Sequence, residues 1–250
     1  MILAYTAIGV LGAVFASFVG VLVDRVNTGE SWVTDRSRCD SCRATLTARD
    51  LVPVVSWLLS RGTCRHCGSR VPARHVLVEF ATAGVFFAAS AMLGITPTLS
   101  VFLMAVLVLL FIVLYDVRHT IVPTVPVLAL VTLGVLFAAL TASSIPALGL
   151  TLMTAGAIAF VFLLFYVLSG GRAMGLGDTP VALALSLLVG YSAALPGLLF
   201  SFWIGALYGI VVLVSTPRGH RMGIEVPFVP FLALGFLLAF FTGWNPLPLF

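Results

Sequence analysis

Lysine is absent from this 250-residue chain, and only 9% of its residues carry a charge. A soluble domain carries about 25% charged residues, so this sequence cannot coat a water-facing surface. Disorder, a collagen-like repeat and a small disulfide scaffold are excluded by a 61% hydrophobic composition with only four cysteines. The mean hydropathy is +1.18. What remains is a protein whose solvent is the lipid bilayer.

The few charges divide the chain. Five stretches carry none: 1–23, 80–115, 119–171, 179–217 and 226–250. A span needs ~20 apolar residues to cross ~30 Å of hydrocarbon, so the first and last stretches hold one span each. The middle three, of 36, 53 and 39 residues, are long enough for two. Each has a turn signal near its centre, at 94–97, 141–146 and 190–196, and reads as a helical hairpin. The expectation is an all-α polytopic membrane protein of about eight transmembrane helices, with every charged segment on one face. Short Arg-rich loops stay in the cytoplasm, which places that face inside and both termini outside. The net charge of +4 is thereby explained as a topology signal, and no nucleic-acid partner is expected. Residues 1–23 have no basic region before the apolar run; Asp24 and Arg25 follow it, as expected of a retained anchor rather than a cleaved signal.

Residues 24–75 are the one segment of soluble composition, with nine of the thirteen Arg, five of the nine acids and all four Cys. Cys39-Asp-Ser-Cys42 and Cys64-Arg-His-Cys67 form two C-x2-C pairs separated by 21 residues. Two such pairs match a tetrahedral Zn²⁺ site, and a segment this small gains from a metal the folding energy it lacks in apolar core. Disulfides are disfavoured on the reducing cytoplasmic side. With four thiolates the metal has no open position, so the zinc is structural. The domain division expected is helix 1 (1–23), a cytoplasmic zinc-binding segment (24–75) and a membrane core (76–250).

Chemistry must then come from ionisable groups near the membrane, which are functional candidates by default. In the eight-helix arrangement Asp116 ends one helix and Asp178 begins another at the same face. Two close carboxylates in a low dielectric cannot both ionise. One can draw a proton from water while the other, protonated, polarises a carbonyl, which is peptide hydrolysis without a covalent intermediate. Gly175 and Gly177 allow close backbone approach. Each aspartate also has an ordinary reading: Asp116 can pair with Arg118, and Asp178 can cap a first helical turn.

The order of motifs resembles the type IV prepilin peptidase family of membrane aspartic enzymes. It runs from Ala16-Ser-Phe-Val-Gly-Val-Leu-Val-Asp-Arg25 through Cys39-Asp-Ser-Cys42, Pro53-Val-Val-Ser-Trp57, Arg61-Gly-Thr-Cys-Arg-His-Cys-Gly68 and Arg74-His-Val-Leu-Val-Glu79. It continues with Asp116, Ile121-Val-Pro123, Gly175-Leu-Gly-Asp178 and Val226-Pro-Phe-Val-Pro-Phe-Leu-Ala-Leu-Gly235. The Gly-x-Gly-Asp element and Tyr115-Asp116 are shared with presenilin-like intramembrane proteases; the cysteine pairs and the Pro-Phe-x-Pro-Phe stretch set the two apart. The resemblance implies Asp116 and Asp178 as the catalytic pair. It also implies a bacterial inner-membrane location and prepilin or pseudopilin substrates of type IV pili or type II secretion, cut after a Gly between a basic leader and an apolar helix.

Relatives of this kind often methylate the new N-terminus with S-adenosylmethionine. Here the chain departs from their pattern: Gly20 stands where Asn is common, Asp40 for Pro, Thr124 for Asp, Pro180 for Lys, and Val229 for Gly. No catalytic Asp or Cys is lost. Peptidase activity survives the comparison, whereas the methyltransferase has no independent signal. Of the remaining candidates, Glu79 is read as orienting substrate or holding Arg74 and His75. Glu30, Asp35, Asp40 and Asp50 are acids able to attract a basic leader, and Glu225 is a loop charge near Arg218 and Arg221. Gly205 and Gly209 are spaced for close helix packing. A non-catalytic membrane scaffold on a zinc platform is the competing function, and a transporter would carry its charges near the midplane.

Overall fold

A computed structural model describes residues 1–26, 31, 35–172, 174–216 and 226–246; Glu30, Arg218, Arg221 and Glu225 lie outside them. The described residues are mainly helical, with an irregular segment at 35–73 that holds only two short helical turns and two isolated β-bridges. Backbone contacts divide them into two compact units, Met1–Leu99 and Ser100–Phe250.

In the first unit α1 (Ile2–Arg25) packs along α3 (Arg74–Leu93). Its buried stripe is Gly9, Gly12, Ala13, Ala16, Val19 and Val23, small residues at helical spacing that let two helices meet closely. A Cβ at Gly12 would stand 2.7 Å from the Phe86 ring. The opposite face exposes Val10, Leu11, Val14, Phe15 and Phe18, a surface suited to lipid.

Between these helices lie a 3-10 turn (Ala48–Asp50), the short α2 (Val55–Leu59) and two copies of one small motif. In the first copy Arg38 bridges to Thr45, and in the second Thr63 bridges to Arg70. The first cysteine of each pair donates its N–H to a carbonyl five residues on (Cys39 to Ala44, Cys64 to Ser69), and its own carbonyl accepts from the residue four on. That fourth residue is left-handed in both copies, Arg43 at φ 59° and Gly68 at φ 71°. Glycine takes this conformation without strain and arginine does not.

The second unit contains most of α4 (Pro97–His119), then α5 (Thr124–Thr141), α6 (Ile145–Ser169), α7 (Asp178–Val189), α8 (Tyr191–Ser215) and α9 (Val229–Thr242). Phe102, Ala105, Val106, Leu109, Ile112 and Asp116 are all buried along one stripe of α4. The acid therefore continues an apolar face. At the far end of that stripe Phe102 stacks on Phe240 at 4.7 Å and meets Phe137 at 5.5 Å. Helix α7 packs against α5, α6, α8 and α9, which buries residues on every side of it, including Val181, Ala182, Ala184, Leu185 and Leu188.

Six helices are long and apolar enough to cross a membrane: α1, α3, α4, α5, α6 and α8. The three hairpin breaks fall at 94–96, 142–144 and 190, where the turn signals stand. The expected count of eight is not reached in this sense. Helices α7 and α9 have only 12 and 14 residues, roughly 18 and 21 Å at 1.5 Å per residue. An apolar window counts residues and cannot register that Gly190 (φ 80°) and Gly243 (φ 59°) end the helices, or that 174–177 and 226–228 are non-helical. Irregular backbone of this kind is tolerated at membrane depth where protein surrounds it.

Gly205 does pack, its Cβ position lying 3.4 Å from Phe228, but no atom lies within 4 Å of the same point on Gly209. The close crossing of α8 and α9 occurs elsewhere. A Cβ at Gly235 would collide with Ser201, and one at Gly197 would stand 3.0 Å from Phe236.

Candidate active site and metal centre

The four cysteine sulfurs lie within 4.8 Å of one another, and Cys39 Sγ is 3.9 Å from Cys67 Sγ. A Zn–S bond of 2.3 Å in a tetrahedron separates sulfurs by ~3.8 Å, so the donor set fits a tetrahedral ion with little adjustment. The motif backbone favours thiolates. Cys39 is pulled down to about 6, chiefly by the Cys42 N–H and then by the Ser69 hydroxyl, and Ser69 also lowers Cys67. Cys42 goes the other way, to about 11; the pull of the Ala44 N–H is outweighed by burial and by the three neighbouring cysteines. Four thiols this close cannot all ionise unless a cation neutralises them.

Glu79 is buried in the same unit at the start of α3, and its Oε2 accepts the Val54 N–H at 2.8 Å. Val54 has φ 62° and ψ −52°, a conformation that a β-branched residue adopts only when held there. The acid thus secures the turn of Pro53-Val-Val-Ser-Trp57, and it also lies within electrostatic reach of His75. A cavity of about 290 Å³ opens beside it, lined among others by Gly20, Asp24, Trp57, His75 and Glu79. Gly20, one of the departures from the family pattern, has no atom of another described segment within 4 Å of its Cβ position. Asp50 is engaged locally, bonded to Thr47 and 3.5 Å from Arg65.

In the second unit Asp116 and Asp178 are both buried, at 5% and 7% exposure, and the charge of one is felt by the other. Asp116 sits one turn before the end of α4. Thr120, left-handed at φ 53°, donates its N–H to the Asp116 carbonyl at 2.7 Å and turns the chain sharply. Oδ2 of Asp116 is buried without a hydrogen-bond partner among the described residues; the carboxyl accepts from the Val229 N–H in the first turn of α9. Asp178 does not cap α7, whose N-cap is Gly177 with no side-chain bond. Its Oδ2 reaches back to the Gly175 N–H at 3.2 Å, while its own N–H donates to the Gly175 carbonyl. Pro180 fits in this first turn because its missing N–H has no intrahelical partner there.

The neighbour that requires a glycine at 177 belongs to this chain. A Cβ there would stand 2.5 Å from Val122 Cβ, with both Val122 methyl carbons within 3.2 Å. Val122 follows the Thr120 turn, so the segment after Asp116 rests on the segment before Asp178. Gly175 is different: its Cβ position is 3.5 Å from Asp178 Oδ2, an ordinary contact. Gly177→Ala should therefore separate the two carboxylates and lower turnover by roughly 10²-fold, the cost of a misplacement near 1 Å. Val122→Gly should restore activity in the double variant, whereas Val122→Ala keeps the offending Cβ and should not. Cleavage rates of the four proteins check this; equal rescue by both substitutions would rule out the steric account.

Sequence reasoning named both aspartates, both glycines, Glu79 and the four cysteines. Val122, Val229, His119 and Thr179 escaped it as parts of this site. The first two lie in motifs used for the resemblance, but an apolar side chain and a main-chain N–H carry no chemical signal in a sequence.

Two family models match the chain: a bacterial peptidase A24 N-terminal domain over residues 10–93, and the type IV leader peptidase family over residues 103–210. The chain is 28% identical to a prepilin leader peptidase/N-methyltransferase of Bacillus subtilis over 94% of its length and 92% of that protein's. It is 32% identical to one from Burkholderia pseudomallei, covering 94% of this chain and 84% of the relative. A third, from Aeromonas salmonicida, is 32% identical over 83% of this chain and 72% of the relative. No solved structure matches. The matches span both units and include the cysteine pairs as well as both aspartates. The chain is a multi-pass membrane protein of the type IV leader peptidase family.

Proposed function

We propose that this protein removes the leader peptide of type IV prepilins or pseudopilins, with Asp116 and Asp178 as the catalytic pair. The observation that carries the reading is the burial of two interacting carboxylates on segments that pack on each other, inside a family of leader peptidases. The buried pair holds one proton between its two carboxylates. The ionised member takes a proton from a water as the water oxygen attacks the scissile carbonyl carbon, and the protonated member donates to the carbonyl oxygen. Collapse of the tetrahedral adduct breaks the C–N bond and returns a proton to the leaving amine. Water is consumed, and no covalent enzyme intermediate forms.

The substrate class follows from the resemblance: a short basic leader, a Gly at the cut, then an apolar helix able to lie in the bilayer beside the enzyme. Residues 24–75 form the metal-binding segment and 76–250 the peptidase core. The metal is Zn²⁺, held by Cys39, Cys42, Cys64 and Cys67 in a structural role. The Arg-rich segment and the loops bearing both aspartates face the cytoplasm of a bacterial inner membrane. Short helices α7 and α9 complete eight crossing segments, shielded from lipid for part of their depth by their neighbours.

Methylation of the new N-terminus by S-adenosylmethionine is tested separately, by transfer of a labelled methyl group to the cleaved product.

The test of the peptidase is cleavage of a prepilin from the same organism by the purified protein in detergent, with the cut read by mass spectrometry. A single cut after the leader Gly is expected. A folded, metal-loaded protein that leaves several prepilins intact would overturn the assignment.

A further inference from the structure

Three buried side-chain atoms have no hydrogen-bond partner among the described residues: Oδ2 of Asp116, Nε2 of His119 and Oγ1 of Thr179. Buried polar atoms are nearly always paired, and each exception calls for an explanation. These three fall together. His119 is the last residue of α4, one turn beyond Asp116, and Thr179 follows Asp178 in the first turn of α7. The Val122–Gly177 approach holds the two segments against one another.

Neither atom can easily find a partner by itself. The His119 ring is packed on Tyr115, with centroids 4.4 Å apart. Threonines elsewhere in the helices return their hydroxyl to the carbonyl four residues back, as Thr82, Thr132 and Thr151 do. Thr179 stands at a helix start and makes no such bond.

We propose that His119 and Thr179 are substrate-binding residues that pair with the main chain of the peptide crossing the aspartates. This rests on the peptidase reading. A substrate with a Gly at the cut and apolar residues after it brings few polar side chains to the buried site. It does bring main-chain N–H and C=O groups, which lose water on entry and need partners. A threonine hydroxyl both donates and accepts, and Nε2 of an imidazole does either according to its tautomer. The two residues thus offer hydrogen bonds to the main chain of a peptide at the aspartates, independent of substrate side chains.

The experiment compares wild type with Thr179→Val, Thr179→Ser and His119→Phe in the full-length protein. Valine keeps the shape of threonine, and phenylalanine keeps the ring contact with Tyr115. Each of these two should raise KM for a prepilin peptide spanning the junction by roughly 5- to 20-fold with kcat changed less than about threefold, while Thr179→Ser stays near wild type. Equilibrium binding of the same peptide, measured without turnover in an Asp116→Asn background, should weaken by the same factor. Unchanged KM and binding in both variants would overturn the inference, as would a fall in kcat with binding intact, which assigns the two residues to positioning the aspartates. If wild type binds the peptide but never cuts it, the peptidase reading fails and the binding comparison still decides this one. Should His119→Phe not fold, Thr179→Val alone decides.

Discussion

Asp116→Asn and Asp178→Asn should each lower the rate of leader removal by roughly 10²–10⁴-fold, the usual loss when a general acid or base is removed. Asparagine has nearly the shape of aspartate, so the Val229 N–H and Gly175 N–H bonds can be retained through its carbonyl oxygen. What it lacks is the ability to give or take a proton. With one proton shared between its two members, as the proposed mechanism requires, neither half can work alone, and the double variant should be little worse than either single one. Rates come from mass spectrometry of the cleaved product, with thermal unfolding in detergent to show that the fold survives. Both substitutions replace a buried, charge-bearing group by a neutral one, so neither is expected to destabilise the unit. A variant retaining activity within about tenfold of wild type would sink the paired-aspartate mechanism.

Loss of the metal should have the largest effect on structure. Zinc binding contributes roughly 10–16 kcal/mol to small Cys-rich motifs at neutral pH, far more than the apolar packing of two knuckles can supply. Cys64 is the buried member of the set, at 9% exposure. On the proposed site of one zinc per chain, Cys64→Ser should reduce metal content to near none and remove hydrogen-exchange protection from the amides of residues 37–71. The helices of the second unit should keep theirs. With all four coordination positions filled by sulfur, the ion has none left for water, and Cd²⁺ in place of Zn²⁺ should leave cleavage of a prepilin nearly unchanged. Metal-free protein with the knuckle amides still protected would show that the four cysteines do not form a metal site. Activity that follows the identity of the metal would make the ion part of the reaction.

The readability of the site differs from residue to residue for physical reasons. Cysteine pairs announce themselves because few other uses of thiols require that spacing, and an acid inside an apolar stretch stands out because burying it is costly. The paired use of Glu79 was not legible. Its partner is the main-chain N–H of Val54, 25 residues away and in a left-handed conformation, and a backbone donor carries no residue label. Val122 was hidden for a related reason. Its importance lies in the space it takes from Gly177, which depends on the Thr120 turn. The short lengths of α7 and α9 were not legible, because hydropathy reports what a segment can dissolve in and is silent on where its helix stops.

By itself the amino-acid sequence determined that the chain lives in a bilayer, where its hairpins turn, that four thiolates cluster on one short segment, and which two acids are candidates for chemistry. These follow from composition and spacing, since transfer of charge into hydrocarbon and metal coordination depend on residue type more than on neighbours. Only the tertiary structure decided how α7 can be short and still central, that Val229 in α9 supplies a donor to Asp116, and that Val122 closes the Asp116 segment onto Gly177. It also left His119 and Thr179, neighbours in the chain of the two aspartate segments, with buried polar atoms unpaired among the described residues. Each of these is a contact between segments distant along the chain, set by packing and by main-chain groups that every residue shares.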